Sequence, residues 1–168
     1  MATHRLLRWA EAFDSRLARA EQLAAGALIA ALTAIMLAQV VLRYFLRAPL
    51  FWAEEVCAQL LVFATLLGLS LLVRAHQWVA IDWLVQALPG RLRQGLQLLQ
   101  ALAMLALLCW LAWLGWDWIG RPEVRSELGA TIRLPRWYSF SAFGLAFTLM
   151  AWHQFAALLR TLADKPRA

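Results

Sequence analysis

The chain has 168 residues, of which 63% are hydrophobic and 15% charged, with a net charge of +6. Soluble domains run nearer half apolar and a quarter charged, so this composition indicates a membrane protein and excludes an ordinary soluble enzyme. The cations lie between apolar runs, which points to lipid phosphates as counter-charge and argues against nucleic acid as a partner.

The first 22 residues carry Arg5, Arg8, Glu11, Asp14, Arg16, Arg19 and Glu21 and contain no uninterrupted apolar core, so no cleavable signal peptide is read there. Leu6, Trp9, Phe13, Leu17 and Ala20 recur at helical spacing, with Arg5, Arg8, Glu11, Arg16 and Arg19 on the other side. That pattern predicts an amphipathic interfacial helix over residues 1–22.

Four runs have the ~20 apolar residues of a spanning helix: about Leu23 to Leu42, Glu55 to Val73, Leu96 to Ile119 and Tyr138 to Leu159. Backbone polar groups find no partner in hydrocarbon, so runs of this length must be helical, and the alternation of a transmembrane barrel is absent. The expected fold is all-α, with four transmembrane helices. Residues 23–160 form the membrane domain and 161–168 a short tail. Four spans place both termini on one side. Ten Lys and Arg residues fall on that side and six on the other, which predicts cytoplasmic termini.

Within the first span, Gly26, Ala30, Ala34 and Ala38 repeat every fourth position, a face flat enough for close helix approach. Gln39 stands near its end. The second span opens on Glu54 and Glu55, where the helix dipole favours acids. Adjacent helical residues diverge by about 100°, so the two acids serve different surroundings. Arg43, across a short connection containing Pro49, either pairs with one of them or snorkels. Arg74 and His76 close this span. Between the second and third spans, Trp78, Ile81, Val85 and Leu88 form an apolar stripe ending at Pro89-Gly90, a second surface helix. Arg91 and Arg93 follow, suited to phospholipid headgroups.

Trp110, Trp113, Trp116 and Trp118 load the far end of the third span, level with Trp52 and Trp137, as an interfacial aromatic belt does. Cys57 and Cys109 lie at different depths and are read as structural thiols. His153 is the single histidine inside a span, which argues against bis-histidine haem and suits an interhelical hydrogen bond. No nucleophile-base pair, metal-ligand cluster or phosphate-binding loop is present, so no enzyme activity, catalytic residue, metal or cofactor is expected. No Asp, Glu, Lys or Arg occupies the middle of a span, as an ion-coupled transport path would require. That leaves an accessory subunit, with a stand-alone small exporter, a redox-enzyme anchor or a scaffold of another complex as alternatives.

The block "RYFLRAPLFWAEEVCAQLLVFATLLGLSLLVRAHQWVAIDWLVQALPGRLR" is the most specific part of the chain. It resembles the small membrane subunit of tripartite ATP-independent periplasmic (TRAP) transporters, the DctQ family. The matching positions are Arg43, Trp52, Glu54, Glu55, Gly68, Arg74, His76 and Asp82, with "LPGRLR" at Leu88 to Arg93 and "RLPRWYSF" around Pro135, Trp137 and Tyr138. The likeness runs from about Ala24 to Leu162. The chain departs from the family at "SFSAFG", where Gly144 has no preceding proline, and in the extra Gln-Trp after His76. The resemblance implies a scaffold for a large, sodium-coupled, DctM-like membrane subunit. A periplasmic solute-binding protein would deliver an organic acid to that pair. It further implies that one of Glu54 and Glu55 pairs within the subunit while the other shapes a surface toward a partner.

Overall fold

The computed structural model describes residues 2–75, 89–129 and 131–163. Five helices are described: α1 (Ala2–Tyr44), α2 (Ala53–Ala75), α3 (Gly90–Gly120), α4 (Pro122–Ser126) and α5 (Trp137–Ala163). Four of them, all but the five-residue α4, are long and apolar enough to cross a membrane. His76, Asp82 and the expected surface helix after α2 lie outside the described residues.

Each long helix overruns the span read from the sequence, because a helix continues past the membrane edge until the backbone meets a stop. Pro49 is the first proline in the chain, and nothing before it breaks α1. Residues 2–22 and the first span are therefore one helix of 43 residues, roughly 65 Å long at 1.5 Å per residue. It ends as Ala48 N–H returns to the Leu42 carbonyl at 3.1 Å, with Arg47 in the left-handed conformation at φ 53°. At the same end of the bundle α3 stops at Gly120, ahead of Pro122, which opens the short α4.

The helices form a row. α1 packs on α2, α2 on α5, and α5 on α3, with a lesser contact of α1 on α5. Burial follows that order. None of the most apolar stretch of α1 is buried, against 44% of that of α5, which makes α5 the central helix. The core joins Leu66 and Val73 of α2, Leu108 of α3, and Ala146 and Met150 of α5. Where α3 crosses α5, a Cβ on Gly115 would lie 3.0 Å from the Gly144 Cα, and one on Gly144 would lie 3.1 Å from the Trp116 ring. Two glycines are thus needed for the backbones to approach this closely. Trp116 Nε1 donates to Thr148 Oγ1 at 3.1 Å beside the crossing.

The small-residue face of α1 has a different fate from the expected close packing. Gly26, Ala30, Ala34 and Ala38 are all exposed, and nothing lies within 4 Å of a Cβ placed on Gly26. The inward face of α1 is instead Ala10, Asp14, Ala18 and Glu21, spaced about one turn apart, and Gln39, about five turns further along the same face.

Candidate functional site

Two polar assemblies close the apolar row at its opposite ends. The first is built on the amino end of α2. Glu55 and Gln59 are one turn apart on the same face. The Gln59 side-chain oxygen accepts the Tyr138 hydroxyl at 2.6 Å, which ties the start of α5 to α2. Between α4 and α5 the chain makes a small hairpin. Leu128 bridges Pro135, Gly129 N–H donates to the Leu134 carbonyl at 2.8 Å, and Arg136 N–H donates to the Glu127 carbonyl at 2.8 Å. The tip of that hairpin sits on Glu55, whose Oε2 accepts Thr131 N–H at 2.8 Å and Ile132 N–H at 3.3 Å. Gly129 is buried against the same carboxylate, and a Cβ there would overlap Oε1. A carboxylate receiving two backbone donors is a strong fastening, because charge-assisted hydrogen bonds exceed neutral ones.

Glu54 points elsewhere and is exposed, as are Arg43 and Trp52. Arg43 makes no ion pair with either acid; its guanidinium lies 5.8 Å from the Tyr44 ring centroid. Around these residues Tyr44, Phe45, Leu46, Phe51, Trp110, Trp113, Trp116 and Trp137 are all exposed, an aromatic and apolar collar at this end. Asp117 pairs with Arg121 at 3.0 Å on the surface.

The second assembly lies where α1 begins and α2 ends. His153 of α5 is 0% exposed, Asp14 1% and Glu21 4%, in a bundle where most residues face outward. His153 Nδ1 is 2.6 Å from Asp14 Oδ1, and its Nε2 is 3.2 Å from Glu21 Oε1. Asp14 Oδ2 also accepts Arg74 Nε at 2.9 Å and Arg160 Nη2 at 2.7 Å. One carboxylate thus joins three helices. Trp152 stands next to His153 and meets Phe13 edge-on at 5.2 Å and Trp9 at 6.4 Å. Further along, Gln154 Nε2 donates to the Ala101 carbonyl of α3 at 3.2 Å.

These contacts set the helix register. Cys57 Sγ is 3.9 Å from the Leu32 carbonyl at one end of the α1–α2 pair, and Arg74 meets Asp14 at the other. Between the two ends no charge intervenes among the described residues. The stretches from Gln22 to Leu42, Val56 to Val73, Gln94 to Trp116 and Trp137 to Leu159 contain no Asp, Glu, Lys or Arg. Both cysteines are free, and no group of three or more metal-ligating side chains is found among the described residues.

Residues 32–164 match the family described as tripartite ATP-independent periplasmic transporters, DctQ component. The chain belongs to the DctQ family. A curated relative, the sialic acid TRAP transporter permease protein SiaT of Haemophilus influenzae (strain 86-028NP), is 35% identical over 74 residues. Those residues are 44% of this chain and 12% of SiaT, so the chain spans a small part of that relative's length.

The residues singled out by the DctQ resemblance divide between the two ends. Glu55 joins the hairpin assembly, with Glu54, Trp52 and Arg43 exposed around it, and Arg74 joins the Asp14 assembly. Gly68 lies between the two, with open space where a Cβ would stand. Arg91 and Arg93 fall in the first turn of α3, Arg93 exposed. Asp14, Glu21 and Arg160 were not anticipated as site residues. The signal available was the seven-residue spacing of Asp14 and Glu21, in step with Ala10 and Ala18, which puts both acids on one helix face.

Proposed function

We propose that this chain is the small permease subunit of a TRAP transporter. It braces a large, sodium-coupled, DctM-like membrane subunit in the bacterial inner membrane. A periplasmic solute-binding protein supplies the pair with an organic acid. The observation that carries this reading is the family match over 32–164, which takes in the last part of α1 and all of the other three long helices. Uncharged span interiors support bracing rather than conduction, since an ion-coupled path needs polar or broken-helix groups at mid-depth. The subunit does no covalent chemistry. A sialic acid is the first substrate to try, on the name of the SiaT relative.

Cytoplasmic termini, supported by the excess of Lys and Arg on that side, orient the two assemblies. The Glu55 hairpin then faces the periplasm, and the Asp14–His153 assembly faces the cytoplasm, with Arg91 and Arg93 at phospholipid headgroups. Glu55 acts within the subunit. Glu54, with exposed Trp52 and Arg43 beside it, offers a surface to the large subunit or the binding protein.

Co-purification of the tagged chain from mildly solubilised native membranes, followed by mass spectrometry, tests the reading. A much larger permease recovered in near-equal amount is expected. Recovery of the chain alone as a stable dimer would overturn the accessory role and favour a small exporter.

A further inference from the structure

The Asp14–His153–Glu21 assembly has a hydrogen-bond stoichiometry that the transporter reading does not use. A neutral imidazole carries one N–H, and ionised carboxylates only accept. Yet each ring nitrogen of His153 faces a carboxylate: Asp14 Oδ1 at 2.6 Å from Nδ1, and Glu21 Oε1 and Oε2 at 3.2 and 3.3 Å from Nε2. Asp14 has two further donors, Arg74 and Arg160. Among the described residues the His153 ring is the one side-chain donor to Glu21, which is 4% exposed. With both carboxylates ionised, a ring with a single proton would leave one nitrogen lone pair against a buried carboxylate, the costly case of an unpaired buried charge.

We infer that His153 is a proton-operated clasp: residues 8–21 of α1 dock on α2 and α5 with the ring protonated at both nitrogens, and loss of that proton releases them. The groups facing the ring come from each packed element. α1 brings Asp14 and Glu21, α2 brings Arg74, and α5 brings Arg160. α3 reaches this level at Ala101 and brings no charged side chain among the described residues; Arg93 is about two turns away and exposed. With the ring protonated, three cations face two anions. Without the proton Glu21 loses its donor.

The sign follows from proton counting. The docked form, with a donor at each ring nitrogen, holds one more proton than a released form whose ring is neutral. Docking is therefore firm at low pH and weakens as pH rises through the value at which the docked ring gives up its proton, by up to about tenfold per pH unit. This inference concerns the chain's own fold and stands apart from the transporter reading.

The test uses the full chain in lipid nanodiscs. Amide hydrogen exchange over residues 8–21, corrected for intrinsic rates, is followed between about pH 6 and about pH 9, the interval in which a histidine is expected to titrate. In parallel, 15N spectra report the His153 ring, assigned by its loss in His153→Gln. Protection is expected to fall with pH in step with the imidazolium signal. Glu21→Gln is the discriminating variant: its amide can donate to Nε2 of a neutral ring, so protection should persist at high pH and lose its pH dependence. A neutral His153 ring in a protected segment, protection independent of pH in the wild type, or a Glu21→Gln profile that follows the wild type would each overturn the clasp.

Discussion

The Glu55 carboxylate holds Thr131 N–H at 2.8 Å across 76 positions of sequence. Glu54, its neighbour, faces out. Two consecutive acids therefore have separable consequences. Glu55→Ala removes an acceptor from two backbone donors and is expected to cost about 1.5–3 kcal/mol, as for hydrogen bonds to a charged group. It should also open residues 127–136 to protease. Glu54→Gln is expected to stay within about 0.5 kcal/mol of wild type, as exposed substitutions do, while weakening recovery of the large subunit. Unfolding in mixed micelles, limited proteolysis and co-purification of the two variants check this pair.

Gly115 and Gly144 make a second contrast, with Gly26. Gly115→Ala drives a Cβ against backbone at 3.0 Å, and overpacking of that kind costs about 1–3 kcal/mol. Gly26→Ala meets open space and is expected to stabilise α1 by about 0.5–1 kcal/mol, the helix-interior penalty of glycine. Thermal unfolding in detergent of the two variants should move in opposite directions.

Asp14 is expected to be far more sensitive than the surface acids. Asp14→Ala strips a partner from Arg74, Arg160 and His153 together, and breaking a buried pair costs about 3–5 kcal/mol. Glu127→Ala breaks a single pair with Arg136, in which both side chains are nearly half exposed, and about 0–1 kcal/mol is expected. Denaturant titration in micelles of both variants measures the difference.

Sidedness is open to chemical labelling. With Cys109 replaced by Ala, Phe45→Cys should react with a membrane-impermeant maleimide in intact spheroplasts, and Ala12→Cys only after permeabilisation. Both positions are exposed on the protein surface. The reverse pattern would place the termini in the periplasm.

Much of the fold was legible because the hydrocarbon imposes it. Apolar runs of spanning length sit inside helices at Ala2–Tyr44, Ala53–Ala75, Gly90–Gly120 and Trp137–Ala163. Edges were less so, because charge marks where a membrane ends and proline marks where a helix ends; residues 2–22 have charges and no proline. The amphipathic reading of that segment followed Leu6, Trp9, Phe13, Leu17 and Ala20. The buried face is that of Ala10, Asp14, Ala18 and Glu21, because His153, Arg74 and Arg160 wait on other helices. Partners 60 to 146 positions apart leave no periodic trace. The same holds for Glu55, whose position at a helix start was plain and whose hairpin was not.

The most direct test of the bracing account is uptake by proteoliposomes. They would contain either this chain alone or the chain with the co-purified large subunit, supplied with the binding protein, an inward sodium gradient and a panel of labelled organic acids that includes a sialic acid. The account predicts accumulation by the pair and none by the chain alone. Accumulation by the chain alone, or full activity of the large subunit without it, would contradict the account.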